Sequence, residues 1–395
     1  MAKPLDGLKV IDLTSAMSGP FCTMILADYG ADVIKVEPPA GDQARTWGPL
    51  DEATGESEYF AIFNRDKKSV SINLKDPAGK AMLFELLQDA DLLVENFKPG
   101  VTKKLGIDYE AVWAHNPSIL YASASGFGQT GPLSHRPCYD IVAQAMSGIL
   151  DLTGYPDQDP VKVGPCIIDH TTGLYLVIGI LMALHHRDVT GEGQYIDVAM
   201  LDSAFSITEN MPTYVARGHG VPQRRGCADP SITPFDCYRC KDGFLVIGIG
   251  NDALWETFCK TAGLEELLED PRFTTNWDRT VNYTPDLKNA IAAWCAQHTK
   301  AEIEHLMDEA GIPCSPVMNM KEAMENPQIA ARDMMVPTEH PLLGRVDVPG
   351  CVVKLSKTPG SVDAPAPLLG QNNRDVLGLS PEEEQTLIEQ GVLGK

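Results

Sequence analysis

Positive charge is scarce in this chain. Its 395 residues carry 32 Lys and Arg against 54 Asp and Glu, a formal net charge of -22. A nucleic-acid surface needs the opposite, clustered Lys and Arg held against phosphates, so nucleic acid is not an expected partner. A phosphate-bearing small molecule at a locally basic site is not excluded. Long apolar runs are lacking too. No stretch is expected to reach the roughly 18 apolar residues of a membrane span, and MAKPLDGLKVIDLT turns polar too early for a signal peptide. The expectation is therefore a cytoplasmic protein with no membrane partner. The ten cysteines are scattered, which reads as reduced thiols rather than a disulfide framework. No phosphate-loop pattern, internal repeat or low-complexity segment occurs.

What is present is ordinary globular material, 44% hydrophobic and 22% charged, in a chain long enough for two or three domains. LKVIDL (8–13) reads as a buried strand, SGPFCTMILADYGA as a helix with Phe21, Met24, Ile25 and Tyr29 at helical spacing, and ADVIKVE as a second strand. The alternation continues through SVSINL, DPAGKAMLFELLQDA, ADLLVENF and SILYASAS. Repeated βαβ units imply an α/β fold with a Rossmann-like parallel sheet, whose ligands gather beyond the C-terminal strand ends. Near residue 225 the texture changes. RRGCADPSITPFDCYRCKDGFLVIGIG suggests a β-hairpin turning at Lys241-Asp242-Gly243, and Pro-broken helical runs follow. The expected layout is a large domain over 1–224, a smaller α+β domain over 225–330, and a segment over 331–395 that returns to the large domain. That last segment holds strand-like GRVDVPGCVVKLS and a terminal helix, PEEEQTLIEQG.

Four patterns could carry chemistry. GFGQTG (126–131) matches a dinucleotide fingerprint after a strand. Pro132, Ser134 and Pro137 stop the helix that should receive a pyrophosphate, leaving a glycine loop near a ligand as the better reading. CYRC (237–240) has no partner pair, and residues three apart on a strand face opposite ways, so no metal site is expected. Eight basic residues against six acids between 64 and 104 read either as a solvated helix face or, through Lys75 and Lys98 beyond strand ends, as phosphate ligands. Fourth, GPCIIDHTTG places Asp169 before the apolar run LYLVIGILMAL. An Asp there caps a helix, or acts as a nucleophilic carboxylate where water is excluded, or does both.

Taken in order, PLDGLKVIDLT, SGPFCTMILADYGADVIKVEPP, NRDKKSVSINLK, ENFKPGVTKKLGIDYE, YASASGFGQTGP, YDIVAQAMSG and AGIPCSPVMNMKEAMENPQIAARDM closely resemble the class III coenzyme A transferases. This is the formyl-CoA:oxalate and carnitine CoA-transferase family of CaiB/BaiF type. The likeness runs to LGQNNRDVLGLS, nearly the whole chain. The resemblance implies an interlocked homodimer of ring-like chains, each with a Rossmann-like large domain built from both ends of the chain and a small domain between. It implies Asp169 as nucleophile, preceding a helix that begins near Thr172, with Tyr139 and Asp140 beside it. CoA contacts would come from Met17 and Ser18, from Ile72, Asn73, Leu74 and Lys75, from Asn96, Phe97 and Lys98, and from Lys104. No metal and no tightly bound cofactor are implied. Coenzyme A, acyl-CoA and a carboxylic acid are substrates.

The implied chemistry moves CoA from an acyl-CoA to an acid through an aspartyl mixed anhydride and an aspartyl-CoA thioester. At a reference pKa of about 3.9, Asp169 is expected to be ionised at neutral pH. Oxyanion donors are expected from the backbone N–H groups of the glycine-rich loops. Met17, Pro38 and Pro137 replace a glutamine, an arginine and a lysine of the formyl-CoA enzymes, and only GCADPS stands where those have a long glycine flap. Formyl-oxalate exchange is therefore not the expectation, whereas oxalate or another small acid remains open as acceptor. An acyl-CoA racemase of the same fold would carry a histidine at the Tyr139 position, as one half of the acid and base pair that a proton transfer needs. Only His170, adjacent to Asp169, keeps that reading open, beside a non-catalytic acyl-CoA binding protein.

Overall fold

Six short strands pair side by side, all parallel, in the order β3-β2-β1-β4-β5-β6. They are β1 (Lys9–Asp12), β2 (Asp32–Glu37), β3 (Lys67–Ser71), β4 (Leu92–Glu95), β5 (Leu120–Ser125) and β6 (Tyr195–Ala199). The computed structural model describes residues 2–394, the side chain of Thr284 excepted. Residues 1–149, 162–212 and 327–395 form one compact unit, and 150–161 with 213–326 form a second. Residues 150–161 and 213–224, assigned above to the large domain, thus belong to the second unit. Gly226 N–H donates to the Gly154 carbonyl, and the Tyr155 ring crowds Gly226, which ties 150–161 to that part of the chain.

In the first unit the helices are α1 (Ser18–Asp28), α2 (Glu58–Phe63), α3 (Pro77–Leu87), α4 (Val101–Leu105), α5 (Tyr109–His115), α6 (Asp140–Ser147), the first residue of α7 (Ile149–Leu152), whose other residues belong to the second unit, α8 (Ile167–Thr190) and α9 (Met200–Ser206). Two apolar layers cover the sheet. On one face Ile11, Ile34, Val70 and Leu93 pack with Leu83 and Leu87 of α3. On the other, Val10, Val33, Leu92 and Ala122 pack with Leu26 of α1 and with Leu176 and Ile180 of α8. Adjacent strand residues point to opposite faces, which is why strands covered on both sides read as unbroken apolar runs. Gly173 allows α8 to approach α1 closely, since a Cβ there would lie 2.8 Å from the Ser18 carbonyl oxygen.

The membrane expectation needs correction for α8. It has 24 residues, and an 18-residue stretch within it has a mean hydropathy of 1.7, long and apolar enough to cross a bilayer by length and composition. A helix seated on a core passes the same test, and Ile168, Leu176, Ile180 and Ala183 are buried within the unit. Sparse polar residues hid the run from a strict count of consecutive apolar positions.

The second unit holds an antiparallel sheet of β7 (Phe235–Cys240), β8 (Gly243–Gly248) and β9 (Cys314–Pro316) over a core that includes Trp255, Phe258, Trp294 and Ile303. Its hairpin turns at 241–243, as the sequence suggests. A second hairpin, β10 (Met335–His340) with β11 (Gly344–Pro349), belongs to the first unit.

Candidate active site

The chain runs outward from β1 to β3 and then returns to place β4 against β1's other edge. The loops after β1 and β4 therefore diverge, opening the crevice where parallel sheets collect ligands. Here they are tied at their base: Ser15 N–H donates to Asn96 Oδ1 at 2.8 Å, and Asn96 Nδ2 donates to the Ser15 carbonyl at 2.7 Å. A cavity of about 410 Å³ lies above, lined by Ser15 to Ser18, Asn96, Ala124 to Gly126, Cys138 to Ile141, Cys166 and Asp169, among others. That size suits a small-molecule group.

A buried ionic lattice holds the floor. Asp12 pairs with Lys67 at 3.1 Å and Lys35 with Asp42 at 2.8 Å, all four almost without solvent exposure. Burial alone would raise Asp12, but Lys67 and Lys35 outweigh it and hold the carboxyl at about 2. Lys35 donates to the Thr14 carbonyl, and Asp42 Oδ1 accepts the Ala16 N–H. Ala16 needs that support, because its φ of 66° is in the left-handed region that non-glycine residues seldom occupy. Two of the eight basic residues read above as a solvated face or phosphate ligands do neither. Lys67 pairs with Asp12, and Arg65 forms a buried bidentate bridge to Asp28.

Asp169 does not cap α8. The helix starts at Ile167 rather than near Thr172, Cys166 occupies the cap position without a side-chain bond, and Asp169 is the third helical residue. The cap comes from elsewhere in the chain. Asp140 Oδ2 accepts from Ile168 N–H at 2.7 Å and from Asp169 N–H at 3.2 Å, while its Oδ1 accepts from Gln144. With the first-turn amides of α8 served by Asp140, Asp169 keeps its carboxyl for the cavity, which Ser18 also lines. Burial first, then the Asp140 charge, push it up to about 7. The expectation of a fully ionised nucleophile at neutral pH is corrected accordingly: desolvation here is strong enough to hold a substantial protonated fraction.

The surrounding groups share that environment. Burial and then Asp169 raise Tyr59 above its ordinary range and Cys138 to about 11, so both keep their protons at neutral pH. Asp140, Cys166 and Asp169 each place a ligand atom within 4.8 Å of the others. Asp140 Oδ2 serves the α8 amides and Oδ1 accepts from Gln144, so a metal there would compete with those hydrogen bonds. The N-termini of α1, α6 and α8 all open on the cavity. Neither Met17 nor Tyr139, the cap residues of α1 and α6, bonds its helix through a side chain. First-turn amides and helix dipoles thus favour negative charge in the space facing Asp169.

Of the residues anticipated from sequence, Asp169, Tyr139, Asp140, Met17, Ser18 and Asn96 converge on this cavity. The remainder do not line it. Ile72 is fully buried and bridged to Leu393, and the Asn73 side chain donates to Gly391 and accepts from Lys75 N–H. Leu74 and Phe97 lean on the sheet's core. Lys75, Lys98 and Lys104 are exposed beyond the ends of β3 and β4. The Asn96 carboxamide is spent on the loop clamp. His170 turns from the cavity: its Nδ1 sits 2.8 Å from the Cys166 carbonyl and its ring packs edge-on against Phe21.

Sequence reasoning missed Tyr59, Trp47, Ser125, Cys138 and Lys162, which also line the cavity. Only Cys138, next to Tyr139, had a local signal. Gly126 does line it, and no substitute fits, since a Cβ there would lie 2.2 Å from Cys138 Cβ. No helix follows directly on GFGQTG.

The sequence and fold have counterparts among known proteins. Residues 5–373 match CoA-transferase family III. The chain belongs to that family. This family III CoA-transferase is 40% identical over 376 residues to the succinyl-CoA:glutarate CoA-transferase of Mus musculus, covering 95% of this chain and 86% of the relative. It is 42% identical over 355 residues to the acetyl-CoA:oxalate CoA-transferase of Acetobacter aceti, covering 89% of each. Among solved structures, a CaiB/BaiF family protein from Brucella suis superposes with a TM-score of 0.85 at 35% identity, over 96% of this chain and 99% of that one.

Proposed function

We propose that this CoA-transferase exchanges CoA between an acyl-CoA and a short carboxylic acid through covalent intermediates on Asp169. The observation that carries the reading is Asp169 itself: a desolvated carboxyl in the first turn of α8, freed from capping by Asp140 and facing a cavity ringed by helix N-termini. Its carboxylate attacks the thioester carbonyl, the C–S bond breaks, and CoA leaves as thiolate from a mixed anhydride. The thiolate then attacks the aspartyl carbonyl, releasing the donor acid and leaving an aspartyl-CoA thioester. The acceptor carboxylate repeats the sequence in reverse and regenerates Asp169. First-turn amides of α1 and α6 and the Gly126 loop are the donors for each tetrahedral oxyanion, and the apolar side chains of Met17, Trp47 and Met200 in the cavity lining keep water from the anhydride.

Relatives acting on glutarate and oxalate support a dicarboxylic acid as one partner. The orientation of His170 away from the cavity favours transfer over proton abstraction. A homodimer is part of this reading, supported by the exposed apolar stripe Leu174, Ile178, Leu181 and Met182 on α8. Ten unpaired cysteines support a reducing compartment. The test is mass spectrometry after incubation with acyl-CoA, with hydroxylamine trapping. Wild type is expected to carry an acyl or CoA adduct on Asp169, and Asp169→Asn neither adduct nor exchange. An unmodified Asp169 during turnover would overturn the mechanism.

A further inference from the structure

We infer that Lys162 binds the second carboxylate of a dicarboxylic substrate, an assignment that rests on the exchange reaction proposed above. Two carboxyls, Asp140 and Asp169, face the cavity, and Lys162 is the one basic side chain among the described residues that line it. A dicarboxylic acid presenting one carboxylate to the aspartyl-CoA carbonyl brings a further negative charge into this acidic space. Without a counter-charge that entry is opposed by repulsion and by desolvation. Lys162 supplies the counter-charge.

Its ammonium is placed rather than free. It donates to the carbonyls of Val163, at 3.0 Å, and Gly164, which leaves one of its three N–H groups for a ligand. The segment is itself anchored, since Val163 N–H donates to Gln144 Oε1 at 2.9 Å. The same Gln144 amide holds Asp140, and Asp140 holds the first turn of α8 that carries Asp169. One hydrogen-bonded chain thus fixes the ammonium relative to the nucleophile. Lys162 forms no ion pair with a protein carboxylate among the described residues. The ligand class that fits is a short dicarboxylate. A monocarboxylate of equal length would leave the ammonium unused.

The experiment uses acetyl-CoA as donor, which brings no second carboxylate, and compares glutarate with valerate, equal in length but ending in a methyl group. Wild type, Lys162→Met and Lys162→Arg are measured. Losing the charged contact is expected to raise KM for glutarate about tenfold or more, with a much smaller change in kcat. The glutarate-to-valerate preference is expected to collapse in the Met variant and largely return in the Arg variant. An unchanged preference overturns the assignment, and so does an effect falling on KM for acetyl-CoA, which would make Lys162 a phosphate contact.

A second readout needs no turnover: calorimetric titration of glutarate into Asp169→Asn and into Asp169→Asn/Lys162→Met. Lys162-dependent binding in a protein that exchanges no acid keeps this subsite and removes the proposed reaction. Exchange through an Asp169 adduct with binding indifferent to Lys162 does the reverse.

Discussion

Asp169 is held in partial protonation by burial and by the neighbouring Asp140 charge, which raise its pKa to about 7. Only the carboxylate can attack a thioester, so the rate of adduct formation is expected to rise with pH through about 7 and to fall roughly tenfold per unit below it. Stopped-flow CoA release between pH 5 and 9 reads this limb directly. Asp140→Asn removes one of the two causes while keeping an oxygen for the α8 amides, and should move the limb to lower pH.

The same shift has a stability side. The folded protein keeps a proton on Asp169 that the unfolded chain has lost, so the burial is harmless below the unfolded pKa of about 3.9 and costs stability increasingly as pH rises to about 7. Asp169→Asn is therefore expected to unfold at higher temperature than wild type at pH 8, with the two melting curves converging near pH 4. Lys35 tests the opposite kind of burial. Its ammonium serves Asp42 and the Thr14 carbonyl without solvent. Lys35→Met should cost about 3–5 kcal/mol in denaturant unfolding, because it strands buried carboxylates.

At the scale of elements, α1 and α8 meet through Gly173, and that contact sets Ser18 against Asp169. Gly173→Ala would press a methyl group on the Ser18 carbonyl and the Phe21 ring. A loss of about 1–3 kcal/mol is expected for overpacking, with slower exchange because Ser18 shifts from Asp169. Thermal melts and exchange rates, measured together, check it.

The strands β1, β2, β4 and β5 and the helices α1 and α3 were legible because each is a short apolar run or a helical stripe with clear punctuation. QYIDVAM hid β6, since five residues interrupted by Asp197 resemble the end of the preceding helix. The start of α8 was misplaced because its cap is Asp140, 28 residues distant in sequence. Lys35 and Lys67 gave no local sign of burial, as their partners lie on other strands and loops. Asp169 stood out through its apolar setting. The helix ends that surround it come together only in the fold.

For the whole molecule, the unpartnered face of α8 is the feature with the widest reach. Leu174, Ile178, Leu181 and Met182 recur at helical spacing, with Met182 68% exposed, and a chain of net charge -22 has little reason to leave such a stripe in water. If this face joins two copies, Ile178→Glu with Met182→Glu should shift sedimentation from dimer toward monomer while far-ultraviolet circular dichroism stays close to wild type. A wild type that sediments as a monomer at micromolar concentration would remove the homodimer.

The β3 edge of the parallel sheet is closed late in the chain. Ser69 N–H donates to Asn372 Oδ1 and Ser71 N–H to Asn373 Oδ1, while the N–H groups of Asn372 and Gly394 return to the carbonyls of Ser69 and Ser71. Residues 69 and 372 are 303 positions apart. At about 5–20 residues per second on the ribosome, β3 waits roughly 15–60 s for its seal. Through that interval the nascent chain offers neighbouring polypeptides an unpaired strand, so its yield in a cell depends on what guards that edge before residues 372 to 394 emerge.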